Sequence, residues 1–244
     1  LSKRKEHQRR KAWDLPEQFI PELANYAHDL GLEFGCTPFY LAAVDILESH
    51  VDFYKIASYE LLWADLLKKC ARTGKPVMFS TGMATQSEIQ TAYDICVSAG
   101  ANDISIFHCN SSYPTPLDQV NLKVMDRLRD QLKHQGPMPK IGWSDHSRNA
   151  GVIQRAVHHY GAEVIEFHLD LDQQGAEYAA GHCWLPDEMK TVISQIRSGM
   201  EADGSDLVEF SEAEAAERDW RADPGDGLRP ITNLRVSFRG DLED

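Results

Sequence analysis

Six short, largely apolar runs recur along the chain with amphipathic helical patterns between them. This alternation restricts the fold more than any other feature of the sequence. The runs are LEFGCTPF (Leu32 to Phe39), DFYKIAS (Asp52 to Ser58), PVMFSTG (Pro76 to Gly82), DISIFHC (Asp103 to Cys109), KIGWSDH (Lys140 to His146) and VIEFHLD (Val164 to Asp170). They lack the strict alternation of a half-exposed sheet, as parallel strands covered on both faces do. The segments between them read as helices. PEQFIPELANYAHDLG places apolar residues at helical spacing and stops at a glycine, and TQSEIQTAYDICVSAGA opens on a capping-box pattern, Thr85 then Glu88. Strand and helix in turn imply right-handed βαβ units on a parallel sheet. An open doubly wound sheet and a (β/α)8 barrel both satisfy this pattern. No GxGxxG stands at a strand-to-helix turn, so the dinucleotide-binding version lacks support.

The character of the chain changes after about Gly199. We therefore expect a barrel domain over residues 1–200 and an acidic tail over 201–244, with one short helix (about Ser211 to Trp220) followed by extended chain. The formal net charge of −13 argues against nucleic acid or an anionic membrane as partner. No apolar run approaches the roughly 18 residues that a membrane span needs. The five cysteines show no CxxC pairing, which disfavours a disulfide framework or a zinc ribbon and makes a reducing cytoplasm the expected compartment. The basic start, LSKRKEHQRRKAW, lacks the apolar core of a signal peptide and begins with Leu1.

The apolar runs end in polar groups: Thr37; Lys55, Ser58 and Glu60; Ser80 and Thr81; His108, Asn110 and Ser111; Ser144, Asp145 and His146; Glu166 and His168. The C-terminal ends of parallel strands point to one side of the sheet, so these residues should converge on one rim. His146 and His168, at the ends of consecutive strands, suit Mn, Fe, Co or Zn and would leave coordination positions open for water and substrate. A lone strand-end histidine is more often structural, so the pair carries the metal reading. Lys55 interrupts an apolar strand, either as a cation for a phosphate or carboxylate or as a snorkelling edge lysine. STGM, at Ser80 to Met83, puts hydroxyls and a glycine at a helix N-terminus, where anions are favoured.

Together these motifs resemble the sialic acid (N-acetylneuraminate) synthase family, whose members also make related nonulosonic acids. The matching strings are TPF at Thr37 to Phe39, YKIAS at Tyr54 to Ser58, GKPVMFSTGMAT at Gly74 to Thr85, HCNSSYPTP at His108 to Pro116, VNLKVM at Val120 to Met125, GWSDHS at Gly142 to Ser147, and VIEFHLDLD. The resemblance implies a (β/α)8 TIM-type barrel and a transferase that condenses phosphoenolpyruvate with an N-acetylated amino-sugar aldehyde, releasing phosphate. It implies a divalent metal, Mn or Mg, held by His146 and His168. Thr37, Lys55, Ser58, Ser80, Ser111 and Ser144 would line the phosphoenolpyruvate pocket. Glu60 falls where the family places an acid/base carboxylate, with Lys55 beside it, and Tyr113 should face the sugar.

Several positions depart from the family. Its first two barrel strands have no match, so the six runs would be strands three to eight, and the last residues, 201–244, do not resemble the family's C-terminal antifreeze-like domain. The family's sugar-contacting aspartate is matched by Glu177, and the nearby AAGHCWLP brings His182 and Trp184 to the rim, which points to a different acceptor sugar. The family is commonly dimeric, so the resemblance allows a homodimer. Two other readings stand beside the synthase: a non-catalytic barrel acting as a binding subunit, and another phosphoenolpyruvate-condensing 2-keto sugar acid synthase.

Overall fold

The computed structural model describes residues 14–132 and 136–240, together with the single positions 5, 8 and 11. The chain divides into two compact units, Leu1–Glu201 and Ala202–Asp244. The first holds seven strands: β1 (Gly35–Cys36), β2 (Phe53–Ile56), β3 (Val77–Ser80), β4 (Ile104–Cys109), β5 (Lys140–Asp145), β6 (Ile165–Leu169) and β7 (Cys183–Trp184). All are parallel, and their order in the sheet is their order in sequence. Right-handed crossovers that always step the same way place every helix on one face. A doubly wound sheet would reverse its order at a switch point. Single winding is the barrel mode, and it settles the choice that the sequence pattern leaves open.

The sequence pattern suggests six strands where the structure has seven. The seventh, β7, is only two residues long, too short to stand out as an apolar run, and pairs with β6 through His168 opposite Cys183. Among the described residues β1 and β7 do not pair, so the sheet remains an arc of a barrel rather than a closed one.

The helices of this unit are α1 (Ile20–Asp29), α2 (Leu41–Leu47), α3 (Ala64–Arg72), α4 (Gln86–Ser98), α5 (Val124–Leu132), α6 (Ala150–His158), α7 (Ala176–Ala180) and α8 (Pro186–Ala202). The Thr85 capping box forms in full: the Thr85 N–H donates to Glu88 Oε2 at 2.6 Å and the Glu88 N–H to Thr85 Oγ1 at 3.4 Å. Thr85 thus fixes where α4 begins and where the preceding STGM loop must end. The helices cover one face of the sheet, and Tyr54, Phe79, Ile106 and Trp143 are fully buried beneath them. No helix among the described residues is long and apolar enough to cross a membrane.

Strand register sorts the side chains. Lys55 lies opposite Met78, Ser80 opposite Phe107, Cys109 opposite Ser144, and Ser144 opposite Glu166. These residues share the inner face, because side chains in register point the same way and alternate along each strand. Tyr54, Ile56, Val77, Phe79, Ile106 and Trp143 share the helix-covered face. The runs do alternate, with large apolar groups outward and smaller or polar ones inward toward the rim. Burial on both faces hides the pattern from a simple apolar/polar count.

The second unit contains a 3-10 helix, Glu212–Trp220, and an α-helix, α9 (Thr232–Gly240). The latter replaces the extended chain expected from composition. Asp223 accepts hydrogen bonds from the Thr232 N–H and hydroxyl and from the Gly225 N–H, which ties a turn to the start of α9. That local capping is absent from any count of apolar periodicity.

Candidate active site

The strand ends bring most of the expected residues together on the inner rim. Lys55 Nζ, on β2, donates to Ser80 Oγ of β3 at 2.7 Å and lies 3.2 Å from Glu166 Oε2 of β6. Ser80 donates to the same Glu166 oxygen at 3.1 Å. The Lys55 ammonium lies over the Phe107 ring, 5.4 Å from the centroid, and its side chain is 13% exposed. Lys55 is therefore an inward, paired cation rather than a snorkelling edge residue. Glu166 is among the run-end residues expected on the rim, and the structure gives it the role the sequence left open, as partner of Lys55; it stands two positions before His168 on one strand, so both project from the same face.

A second cluster surrounds Gly82. Its N–H donates to Ser58 Oγ at 3.0 Å. A Cβ at position 82 would lie 2.0 Å from Ser111 Oγ and 2.9 Å from Ser58 Oγ, so glycine is what lets the two hydroxyls close over the strand-to-helix turn. Ser111 Oγ is buried with no hydrogen-bond partner among the described residues. Buried hydroxyls are normally satisfied, so this one points to a missing acceptor or donor. Cys109 and Ser144, adjacent on the inner face, complete this wall, and burial pushes the Cys109 thiol pKa up.

His146, His168 and His182 form a third cluster around Tyr113. Their ring centroids lie 5.1 Å apart for His146–His168, 4.9 Å for His168–His182 and 6.3 Å for His146–His182. Tyr113 sits 4.1 Å from His146 and 5.0 Å from His182, and burial raises its phenol pKa to about 12. His146 Nδ1 donates to the Asn110 carbonyl at 2.8 Å, which leaves Nε2 as a lone-pair donor. His168 Nδ1 donates to Glu177 Oε2 at 3.0 Å. Burial lowers the pKa of His146 and of His182, which favours the neutral imidazole that metals bind. Two or three neutral imidazoles beside a carboxylate are a donor set suited to a divalent transition ion.

The remaining residues divide in two. Thr37 follows β1, half-buried, and Glu60 ends the 3-10 turn Ser58–Glu60 after β2, so both stand beyond strand C-termini on this rim. Asp145 and His108 lie on the helix-covered face. Asp145 is fully buried and accepts from Trp143 Nε1, Trp184 Nε1, Ser147 and the Arg148 N–H. His108 donates to the Val120 carbonyl at 2.8 Å. Both are structural. Trp184 belongs with them, whereas His182 reaches the histidine cluster because Gly181, left-handed at φ 97°, ends α7 and turns the chain back toward β6.

A model of the NeuB family matches residues 1–207. The chain is 40% identical over 192 residues to an uncharacterised protein of Methanocaldococcus jannaschii, covering 77% of this chain and 54% of that protein. It is 36% identical over 198 residues to the N,N'-diacetyllegionaminic acid synthase of Campylobacter jejuni, covering 79% and 57%. Among solved structures, the N-acetylneuraminic acid synthetase of Leptospira borgpetersenii matches with a TM-score of 0.72 at 25% identity, over 94% of this chain and 72% of that one. The chain spans about half the length of the curated relatives it matches. By the family match and by identity to these relatives, the chain belongs to the NeuB family.

Proposed function

We propose that this chain carries the site of a nonulosonic acid synthase, which condenses phosphoenolpyruvate with an N-acetylated amino-sugar aldehyde. The observation that carries the reading is the convergence of Lys55, Ser80 and Glu166 from three strands, beside the buried, unpartnered hydroxyl of Ser111. Phosphoenolpyruvate has a carboxylate and a phosphate. One cation, several hydroxyls and N–H groups at a helix N-terminus are complementary to such a ligand. Lys55 and Ser80 would hold one anionic group, while Ser58, Ser111 and Ser144 would hold the other, the Gly82 N–H orienting the Ser58 hydroxyl and Thr37 at the edge.

In the proposed reaction C3 of the enol bonds to the aldehyde carbon, water adds at C2, and the C2–O bond to phosphate breaks, leaving a 2-keto acid. Glu60 serves as the acid/base carboxylate, and Tyr113 and Glu177 face the sugar. Holding both substrates against one rim supplies much of the rate advantage by orientation. A divalent ion, manganese or magnesium, at His146 and His168 would supply Lewis-acid polarisation of the aldehyde oxygen. His146 Nδ1 is committed to Asn110, which fixes its ring for that role.

The test is calorimetric titration of phosphoenolpyruvate with and without Mn, followed by a screen of N-acetylated aldoses for phosphate release. Metal-dependent binding and release with one aldose support the synthase. Binding without release from any aldose, in a chain that carries all its barrel strands, would favour the non-catalytic barrel. Release only with phosphorylated acceptors would favour a different 2-keto sugar acid synthase.

A further inference from the structure

His182 is 3% exposed, yet neither ring nitrogen has a hydrogen-bond partner among the described residues. Leaving a buried imidazole unsatisfied costs on the order of 1–3 kcal/mol, so such a group calls for an explanation. Its surroundings supply one. Donor atoms of His168, Glu177, His182 and Cys183 all lie within 4.8 Å of one another. Glu177 Oε2 is 3.0 Å from His168 Nδ1 and 3.8 Å from His182 Nε2. Two donors on a common ion at about 2.1 Å stand about 3.4 Å apart at a tetrahedral angle and about 4.2 Å apart when opposed. The 3.8 Å gap between Glu177 and His182 falls in that interval, too long for a hydrogen bond and suited to a shared ion, whereas the 3.0 Å contact with His168 Nδ1 is a hydrogen bond that leaves His168 Nε2 as the ligand atom.

We infer that His182 and Glu177 join His168 as ligands of the divalent ion at this rim, and that the site takes a borderline divalent transition ion such as Co(II), Zn(II) or Fe(II) in preference to Mg(II), which narrows the choice of ion left open above. The inference deepens the proposed function and rests on it for what the ion would do there. It reassigns two residues. His182 becomes a ligand, and Glu177 becomes a ligand in addition to any contact with sugar. The preference follows from donor type, since imidazole nitrogen favours borderline transition ions, whereas Mg(II) is held through oxygen. The construction is local. Strand β6 presents His168, the first turn of α7 presents Glu177, and Gly181 closes that short helix so that His182 returns to the same spot. His146, with its ring centre 5.1 Å from that of His168, lies outside the four-donor group.

The test is titration of the metal-stripped chain with Co(II), without substrates, read by its visible d–d absorption and by competition with a chromophoric chelator. We expect His182→Gln and Glu177→Gln each to weaken Co(II) binding by about tenfold or more and to change the spectrum. Equimolar Mg(II) should not compete. A folded His182→Gln variant with unchanged Co(II) affinity and spectrum overturns the inference. Should His182→Gln fail to fold, Glu177→Gln decides alone, because its side chain is 65% exposed and tolerates exchange. Failure of phosphoenolpyruvate to bind a chain that holds Co(II) through His182 would sink the synthase reading and leave the metal site standing.

Discussion

Asp145 and Trp184 are joined by a hydrogen bond from the indole Nε1 to Oδ2 at 3.0 Å, and the bond ties β5 to the short edge strand β7. Asp145 is fully buried, and its other oxygen accepts from Trp143 Nε1 and from the Ser147 hydroxyl. It also sets the backbone just before α6, where it accepts from the Arg148 N–H. Replacing it with alanine strands two buried indole N–H groups. We expect Asp145→Ala to lose about 3 kcal/mol or more in urea denaturation, since hydrogen bonds to a charged acceptor each contribute about 1.5–3 kcal/mol. A loss below about 1 kcal/mol would show that water or neighbouring groups replace the carboxylate.

Asp145 also shows where the sequence could and could not be read. Ser144, Asp145 and His146 look like one polar group at the end of one run. Their roles separate by alternation, because residues 144 and 146 face the rim and 145 faces the helices. The same parity identifies Glu166 as a partner of Lys55 from its spacing to His168. The motif strings made the family and the strand-end rim legible, because those positions are set by local sequence. The Lys55–Glu166 pair is 111 positions apart in the chain and depends on strand order, which no local pattern encodes. His182 was visible only as a departure, since β7 is two residues long and its placement depends on the left-handed turn at Gly181.

In the second unit, Asp223 accepts three hydrogen bonds from Thr232 and Gly225, and these hold its carboxyl pKa down at about 2, against an ordinary 3.8. A depressed folded-state pKa means that the carboxylate stabilises the turn above the unfolded value. That stabilisation is lost as pH falls from about 4 through about 2. The Thr232 amide resonance should therefore titrate with a midpoint near 2, and Asp223→Asn should abolish the titration. A midpoint near the ordinary aspartate value would mean that the turn is not held this way in solution.

Gly82 is the tightest point of the anion cluster, because a methyl group there would overlap Ser111 Oγ. A serine hydroxyl can rotate away at small cost to the fold. Because position 82 is buried, the Gly82→Ala chain should fold but lose about 1 kcal/mol in urea denaturation, the low end of the cost of overpacking. Its phosphoenolpyruvate affinity should fall about tenfold, the equivalent of one hydrogen bond to a charged group. Unchanged affinity would place the phosphate or carboxylate elsewhere on the rim.

Lys55 is the cation on which the anion reading turns, and it is already engaged by Ser80 and Glu166. The ammonium has three donors, and Ser80 Oγ, Glu166 Oε2 and the Ile56 carbonyl already take them, so a ligand anion must displace one of these. Removing the charge in Lys55→Met keeps an unbranched side chain of similar volume, so packing is largely preserved. Calorimetry should show phosphoenolpyruvate affinity falling about tenfold to a hundredfold, the range for one charge-assisted hydrogen bond. Lys55→Arg should not restore it. The planar guanidinium is wider than an ammonium and cannot meet Ser80 Oγ and Glu166 Oε2 from the point that Nζ now occupies. Glu166→Gln acts in the opposite direction, because it leaves the ammonium without its counter-charge and should tighten binding of phosphoenolpyruvate. If Lys55→Met and Glu166→Gln both leave the affinity where it was, Lys55 is a structural cation of the barrel interior, and the anion site must be sought around Gly82 alone.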